Sequence, residues 1–145
     1  MRASDKPIVV EQTFNATLDR VWKSLTEPAL MRQWYFDNIS NFKPEVGFET
    51  GFTVSNDGRD FLHRWKVTEV VPHKKIAYDW SYENYPGDAW VAFELFEEGS
   101  ATRLRLTHVA REDSPQDVPE FRRESGLAGW RHFVQKSLKH HLEGT

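Results

Sequence analysis

The sequence predicts an α+β fold: about six antiparallel strands, two short helices after the first strand, and one long C-terminal helix. Three observations predict it. Apolar residues recur at period two through almost all of residues 48–109, the spacing of strands buried on one face. They recur at helical spacing around 18–34 and again toward the C-terminal end. Turn residues interrupt the period-two stretch at short intervals, as the links between antiparallel neighbours must.

The first strand is Ile8-Val9-Val10-Glu11-Gln12-Thr13-Phe14, with Ile8, Val10 and Phe14 on one face. Leu18, Val21, Trp22 and Leu25 then mark one stripe of a helix, with Thr17 as its N-cap. Pro28 ends that helix and suits the first turn of another, which carries Leu30, Met31 and Trp34. Residues 35–46 read as irregular, punctuated by Asn38, Asn41 and Pro44. Phe48, Thr50, Phe52 and Val54 alternate next, and Asn56-Asp57-Gly58 turns the chain. Phe61, His63, Trp65 and Val67 form the following inward row, ended by the turn Pro72-His73-Lys74-Lys75. Ile76, Tyr78, Trp80 and Tyr82 make the third, with a turn expected at Pro86-Gly87-Asp88. Val91, Phe93 and Leu95 make the fourth, Glu97-Glu98-Gly99 turns, and Leu104, Leu106 and His108 make the last.

The closing helix is expected over 118–142, on the order of 37 Å long at 1.5 Å per residue. Asp117 and Glu120 suggest its capped start. Leu127, Trp130, Val134, Leu138 and Leu142 form its stripe. Gly126 and Gly129 interrupt it, each at a cost of roughly 1 kcal/mol relative to Ala. Close packing or a kink accounts for such glycines; a hinge at a pocket mouth is the sharper reading.

Composition narrows the function. All 145 residues fit one domain. With no cysteine there is no disulfide, thiolate chemistry or cysteine-bound metal. A net charge of −3, with both signs mixed along the chain, offers no footprint for nucleic acid. No apolar run suits a signal peptide or a membrane span, so a cytoplasmic location is expected. Six Trp, ten Phe and four Tyr stand out. Each ring buries roughly 150–250 Å², and so many on one face suggest the lining of a cavity.

Several local patterns, in order, resemble the START-like helix-grip superfamily, in the branch related to the activator of heat-shock protein 90 ATPase. Thr17-Leu18-Asp19-Arg20-Val21-Trp22-Lys23-Ser24-Leu25-Thr26-Glu27-Pro28 looks like that branch's first helix, followed by Leu30 and Trp34. Val67-Thr68-Glu69-Val70-Val71-Pro72 with Ile76-Ala77-Tyr78-Asp79-Trp80 looks like its central hairpin. Thr102-Arg103-Leu104-Arg105-Leu106-Thr107-His108 looks like its last strand, and Gly129-Trp130 with the spaced leucines like its final helix. The resemblance implies a curved sheet wrapped around the final helix with a cavity between them. It implies no single function: the superfamily includes lipid and polyketide binders, cyclases and co-chaperone domains. A full co-chaperone of this kind carries a further N-terminal domain that this sequence lacks, which counts against a chaperone partner.

The expected ligand-binding residues are therefore those on the inward face: Phe52, His63, Trp65, Tyr78, Trp80, Phe93 and His108, met by Trp130 from the helix. Trp34 and Phe36 would close one end. His63 and His108 are the best polar groups, as hydrogen-bonding partners or proton shuttles. Each of these residues has a plainer reading as packed core. The main expectation is non-catalytic binding of a small hydrophobic or aromatic molecule, with no cofactor. The alternatives are a cyclase or hydratase using His63 or His108 with Tyr78, and a chaperone-associated interaction module. No glycine elbow surrounds Ser24, Ser81 or Ser137, and His63 with His108 lacks an inward carboxylate to complete a metal set. A sheet edge or helix end leaves room for a homodimer.

Overall fold

The computed structural model describes residues 1–144; the last residue of the expected 1–145 domain lies outside them. In chain order the elements are β1 (Ile8–Phe14), α1 (Leu18–Thr26), α2 (Pro28–Trp34), β2 (Glu49–Asn56), β3 (Arg59–Val71), β4 (Lys75–Tyr82), β5 (Tyr85–Glu98) and β6 (Ala101–Glu112). A 3₁₀ turn (Pro119–Phe121) leads into α3 (Arg123–Trp130), a π-helical stretch (Arg131–Leu138) and α4 (Lys139–Glu143). The strands form one antiparallel sheet in the order β1-β6-β5-β4-β3-β2. Successive hairpins build β2 through β6, and the first strand then pairs with the last, Ile8 opposite His108 and Phe14 opposite Thr102.

Local chemistry explains most boundaries. Thr17 accepts a hydrogen bond from the Arg20 amide at 3.3 Å, capping α1, and Pro28 opens α2. Asp57 and Gly58 both take positive φ (51° and 78°), the requirement of a two-residue hairpin whose twist matches its strands. Irregularities at Val67/Glu69, Ser81/Tyr82 and Asp88/Ala89 add local twist and bend the sheet.

Two expected boundaries move. The turn after β4 is Glu83-Asn84, because Tyr82 pairs with Tyr85; Pro86, Gly87 and Asp88 belong to β5. Asn84 supports this turn from its side chain, accepting from the Leu62 amide and donating to the Asp60 carbonyl. The last helix starts at Arg123 rather than 118, and Asp117 caps nothing. Glu120 is drawn instead to Arg59 and Asn56 on the β2–β3 hairpin, which holds 119–121 as a separate 3₁₀ turn.

The chain from Arg123 to Glu143 runs on without a break, since the residues at both junctions, Arg131 and Lys139, keep right-handed helical dihedrals. Its buried row falls at every fourth residue: Trp130, Val134, Leu138 and Leu142. In a pure α-helix each step of four would advance that row by about 40°. The wider i→i+5 turns of the central stretch oppose the advance and keep all four side chains on the sheet. Gly126 permits close approach to β1, since a Cβ there would sit 3.2 Å from Cδ1 of Ile8. The outer face of the sheet is ionic: Arg103 and Arg105 meet Glu11, and Arg111 bridges Asp79 and Asp88. Among the described residues no helix is long and apolar enough to cross a membrane.

Candidate functional site

The concave face of the sheet divides along the strands into a solid half and a hollow half. In the solid half, Val67, Ile76, Tyr78, Phe93, Leu104 and Leu106 are all buried against the helices. Its keystone is Tyr35, from the segment that reads as irregular. The Tyr35 ring stacks on Trp34 (4.5 Å between centroids), contacts Trp65, Trp80, Phe93, Trp130 and Phe133, and its hydroxyl bonds that of Tyr78 at 2.9 Å. Rings so interlocked pack this half of the face as solid core.

The hollow half lies at the end of the sheet where β2 ends, β3 begins, β4 ends and β6 ends. There a cavity of about 700 Å³ separates the sheet from α3, within the range of small-molecule sites. Its wall includes Phe36, Phe61, His63, Trp80, Tyr82, His108, Phe121, Trp130 and Phe133. Its rim carries exposed Asn56, Asp57, Pro86, Glu112 and Pro119. Arg59 grips Glu120 through Nε and Nη2 (3.0 and 2.9 Å), and Asn56 donates to the same carboxylate at 2.8 Å. These bonds tie the 3₁₀ turn to the β2–β3 hairpin across the rim. The Arg59 guanidinium also holds the Glu120 carboxyl below its usual range.

The polar groups of the wall are few and defined. Trp80 donates from Nε1 to the Tyr82 hydroxyl at 2.9 Å. Its indole meets Trp130 edge to face at 5.6 Å. His63 lies against Phe52 (4.8 Å, nearly parallel) with Nδ1 3.0 Å from the Phe61 carbonyl. His108 accepts at Nδ1 from Trp130 Nε1 at 2.9 Å. Burial pushes both imidazoles down to about 4, so both are neutral at pH 7. His108 keeps some accessible surface, but it borders the cavity rather than bulk water, so desolvation still dominates.

Of the ten residues expected from strand parity, Phe36, His63, Trp80, His108 and Trp130 come together on the cavity wall. Phe52 sits behind them, packed on His63 and Phe36. Trp34, Trp65, Tyr78 and Phe93 belong to the solid half: they are at most 2% exposed and none borders the cavity. The Trp34 indole is committed to the Ser24 carbonyl at 2.7 Å. Trp65 Nε1 is the one buried side-chain nitrogen or oxygen without a partner among the described residues. Parity identifies a face but not a position along it, and Tyr35 fills the half that these four occupy. Conversely, Phe61 and Tyr82 share parity with His63 and Trp80, so the same signal reaches them. Phe121 lies in the 3₁₀ turn and Phe133 in the π-helical stretch, both off the apolar stripe that the helical spacing marks.

The arrangement does not assemble the acid–base set considered for a cyclase or hydratase. The Tyr78 hydroxyl is engaged by Tyr35, burial raises the pKa of both phenols above the ordinary tyrosine value, and Tyr78 does not reach the cavity. Asp79 points outward to Arg111. Among the described residues no three metal-ligating side chains cluster.

A curved antiparallel sheet folded over a C-terminal helix, with a cavity between them, defines a helix-grip domain. Residues 15–143 match the family described as activator of Hsp90 ATPase homolog 1-like protein, and the chain belongs to that family. Curated proteins give no match. Among solved structures, protein MLL2253 from Mesorhizobium loti is 28% identical with a TM-score of 0.74, covering 97% of this chain and 98% of its own. Protein CV1439 from Chromobacterium violaceum is 18% identical with a TM-score of 0.79, covering 94% and 96%. The Aha1 dimer from Colwellia psychrerythraea is 22% identical with a TM-score of 0.73, covering 96% and 97%. The last two likenesses speak for the fold alone.

Proposed function

We propose that the protein binds one small, apolar, ring-containing molecule in the cavity between the sheet and α3 and releases it unchanged. The observation that carries this reading is the composition of the inner wall: clustered aromatic faces with two neutral imidazoles among them, while Asp57, Arg59, Glu112 and Glu120 stand toward the rim. Such a lining stabilises a ligand through burial of its apolar area and through stacking. Both imidazoles are neutral at pH 7, and Arg59 and Asp88 beside the cavity are already paired, with Glu120 and Asp57 and with Arg111 respectively.

The outer surface gives less support to a docking module. The exposed large apolar side chains are Val9, Val46 and Val71, one each from β1, the loop before β2 and the end of β3. The Colwellia protein is a dimer, which favours a second copy of the chain as partner over a chaperone; sedimentation velocity reads that out directly.

Native mass spectrometry tests the binding reading. The protein, taken from its own host and then incubated with fatty acids, sterols and polycyclic aromatics, is expected to carry one-to-one adducts of a ring compound. Fatty-acid adducts alone, or none with any class, would overturn it.

A further inference from the structure

Resting on that reading, we propose what the cavity selects. Its ligand is an uncharged, flat ring compound with a hydrogen-bond donor met by Nε2 of His63 and an acceptor met by Nε2–H of His108.

The two tautomers follow from what the partners are able to do. A carbonyl oxygen only accepts, so the Phe61 carbonyl beside His63 Nδ1 requires the proton on Nδ1. Neutral His63 therefore presents a bare lone pair at Nε2. An indole N–H only donates, so Trp130 requires His108 Nδ1 to be bare. Neutral His108 therefore carries its proton on Nε2. The two imidazoles are set to opposite polarity by two different neighbours.

Both outer nitrogens remain available. Each histidine's hydrogen bond is made through Nδ1, and the only buried side-chain nitrogen lacking a partner among the described residues is Trp65 Nε1. Nε2 of His63 and of His108 is thus neither paired nor sealed, and both rings line the cavity. The Trp80 indole lies between them, 5.4 Å from the His63 ring and 6.5 Å from the His108 ring, nearly parallel to the latter. A flat molecule lying along Trp80 spans the two. An acceptor turned toward His63, or a donor toward His108, would leave buried polar atoms unpaired, which penalises the reversed polarity.

Charge is disfavoured for a related reason. For an anion, the cations beside the wall are engaged: Arg59 by Glu120 and Asp57, and the Met1 ammonium by the Ser114 hydroxyl and the Phe121 carbonyl. A cation meets no free carboxylate in the wall, since Asp88 is held by Arg111 and Glu112 stands at the exposed rim. Either ion would shed its hydration without compensation.

One ring skeleton with varied groups tests this. Trp fluorescence at pH 7 is titrated with fluorene (neither group), fluorenone (acceptor), hydroxyfluorene (donor), hydroxyfluorenones with the two groups at varied separation, and fluorenone carboxylate. The best hydroxyfluorenone is expected to bind about five- to tenfold more tightly than either single-group probe, the range of one neutral hydrogen bond. The carboxylate is expected to bind more weakly than fluorenone. In His63→Leu the advantage of the hydroxyl should vanish while that of the ketone persists; His108→Leu should do the reverse. Equal affinity for all the neutral probes would overturn the donor–acceptor selection and leave the binding reading standing. Preference for the carboxylate would overturn the neutrality. Saturable binding by none of them would overturn both readings. If either variant fails to fold, the probe series on the unaltered protein still decides.

Discussion

Trp130 donates to His108 at the cavity wall, and this 2.9 Å bond links the C-terminal helix to the last strand. It also fixes which nitrogen of His108 is bare. Nitrogen-15 spectra of the imidazoles at pH 7 should show His108 protonated at Nε2 and His63 at Nδ1. In Trp130→Phe the His108 ring loses the donor that stabilises its neutral form. Its two tautomers should then mix, its pKa should rise toward the ordinary histidine value, and stability should fall by about 1 kcal/mol. An unchanged His108 spectrum would contradict the bond.

Acid should destabilise the fold through these same groups. Burial holds both imidazoles at about 4, below the roughly 6.5 of an unfolded chain. Between those values the unfolded state binds protons that the native state does not, so stability rises with pH across that window. The contribution is fully present above 6.5 and is lost as the pH falls toward 4. For His63 it amounts to on the order of 3 kcal/mol, and His108 contributes in the same direction. Urea unfolding at pH 7, 5.5 and 4 measures the slope, and His63→Phe should flatten it. A slope identical in the variant would show that other groups carry the acid sensitivity.

Two tryptophans paired across β3 and β4 should respond differently to truncation. Trp65 is 1% exposed and enclosed by Phe42, Phe52, Tyr35 and Tyr78. Trp65→Ala should cost about 3–5 kcal/mol, as for other large-to-small core changes. One side of Trp80 borders the cavity, so fewer packed atoms lose a neighbour. Trp80→Ala should cost less stability and should weaken ligand binding more. Denaturant melts and a dye titration on each variant compare the two; equal losses of folding and binding in Trp80→Ala would make that residue ordinary core.

The two helix glycines separate in the same way. Gly129→Ala meets nothing within 4 Å and should stabilise by about 1 kcal/mol through helix propensity. In Gly126→Ala the same gain is opposed by crowding of Ile8 Cδ1, itself fully buried, so the net change should be near zero or unfavourable. Melting both variants checks the order; Gly126→Ala as the more stable of the two would contradict the packing against β1.

Strand parity was the legible part of this molecule. It set Phe61, His63, Trp65, Trp80 and His108 on one face, because a half-buried sheet forces apolar side chains to alternate. The division of that face into solid and hollow halves was not legible. It depends on Tyr35, whose segment has no periodicity to read, and on the 3₁₀ turn that carries Phe121. The start of the last helix was misplaced for a related reason: Glu120, in a sequence that suits a cap, bonds instead to Arg59, 61 residues away. The turn at Glu83-Asn84 lost to the stronger Pro86-Gly87 signal, although Asn84 supplies the side-chain bonds that hold the true one. The row of Trp130, Val134, Leu138 and Leu142 was visible as a stripe, but its strict fourfold spacing also marked the π-helical stretch.

The most direct test of an occupied cavity is a Nile red titration of the unaltered protein beside Gly129→Phe, which directs a ring into the void from a position with free space around it. The unaltered protein should show a saturable, one-to-one rise in dye emission with quenching of Trp, and the folded variant should show neither. Equal binding by both proteins would put the dye somewhere other than between the sheet and α3, and no saturable signal from the unaltered protein would remove the site altogether.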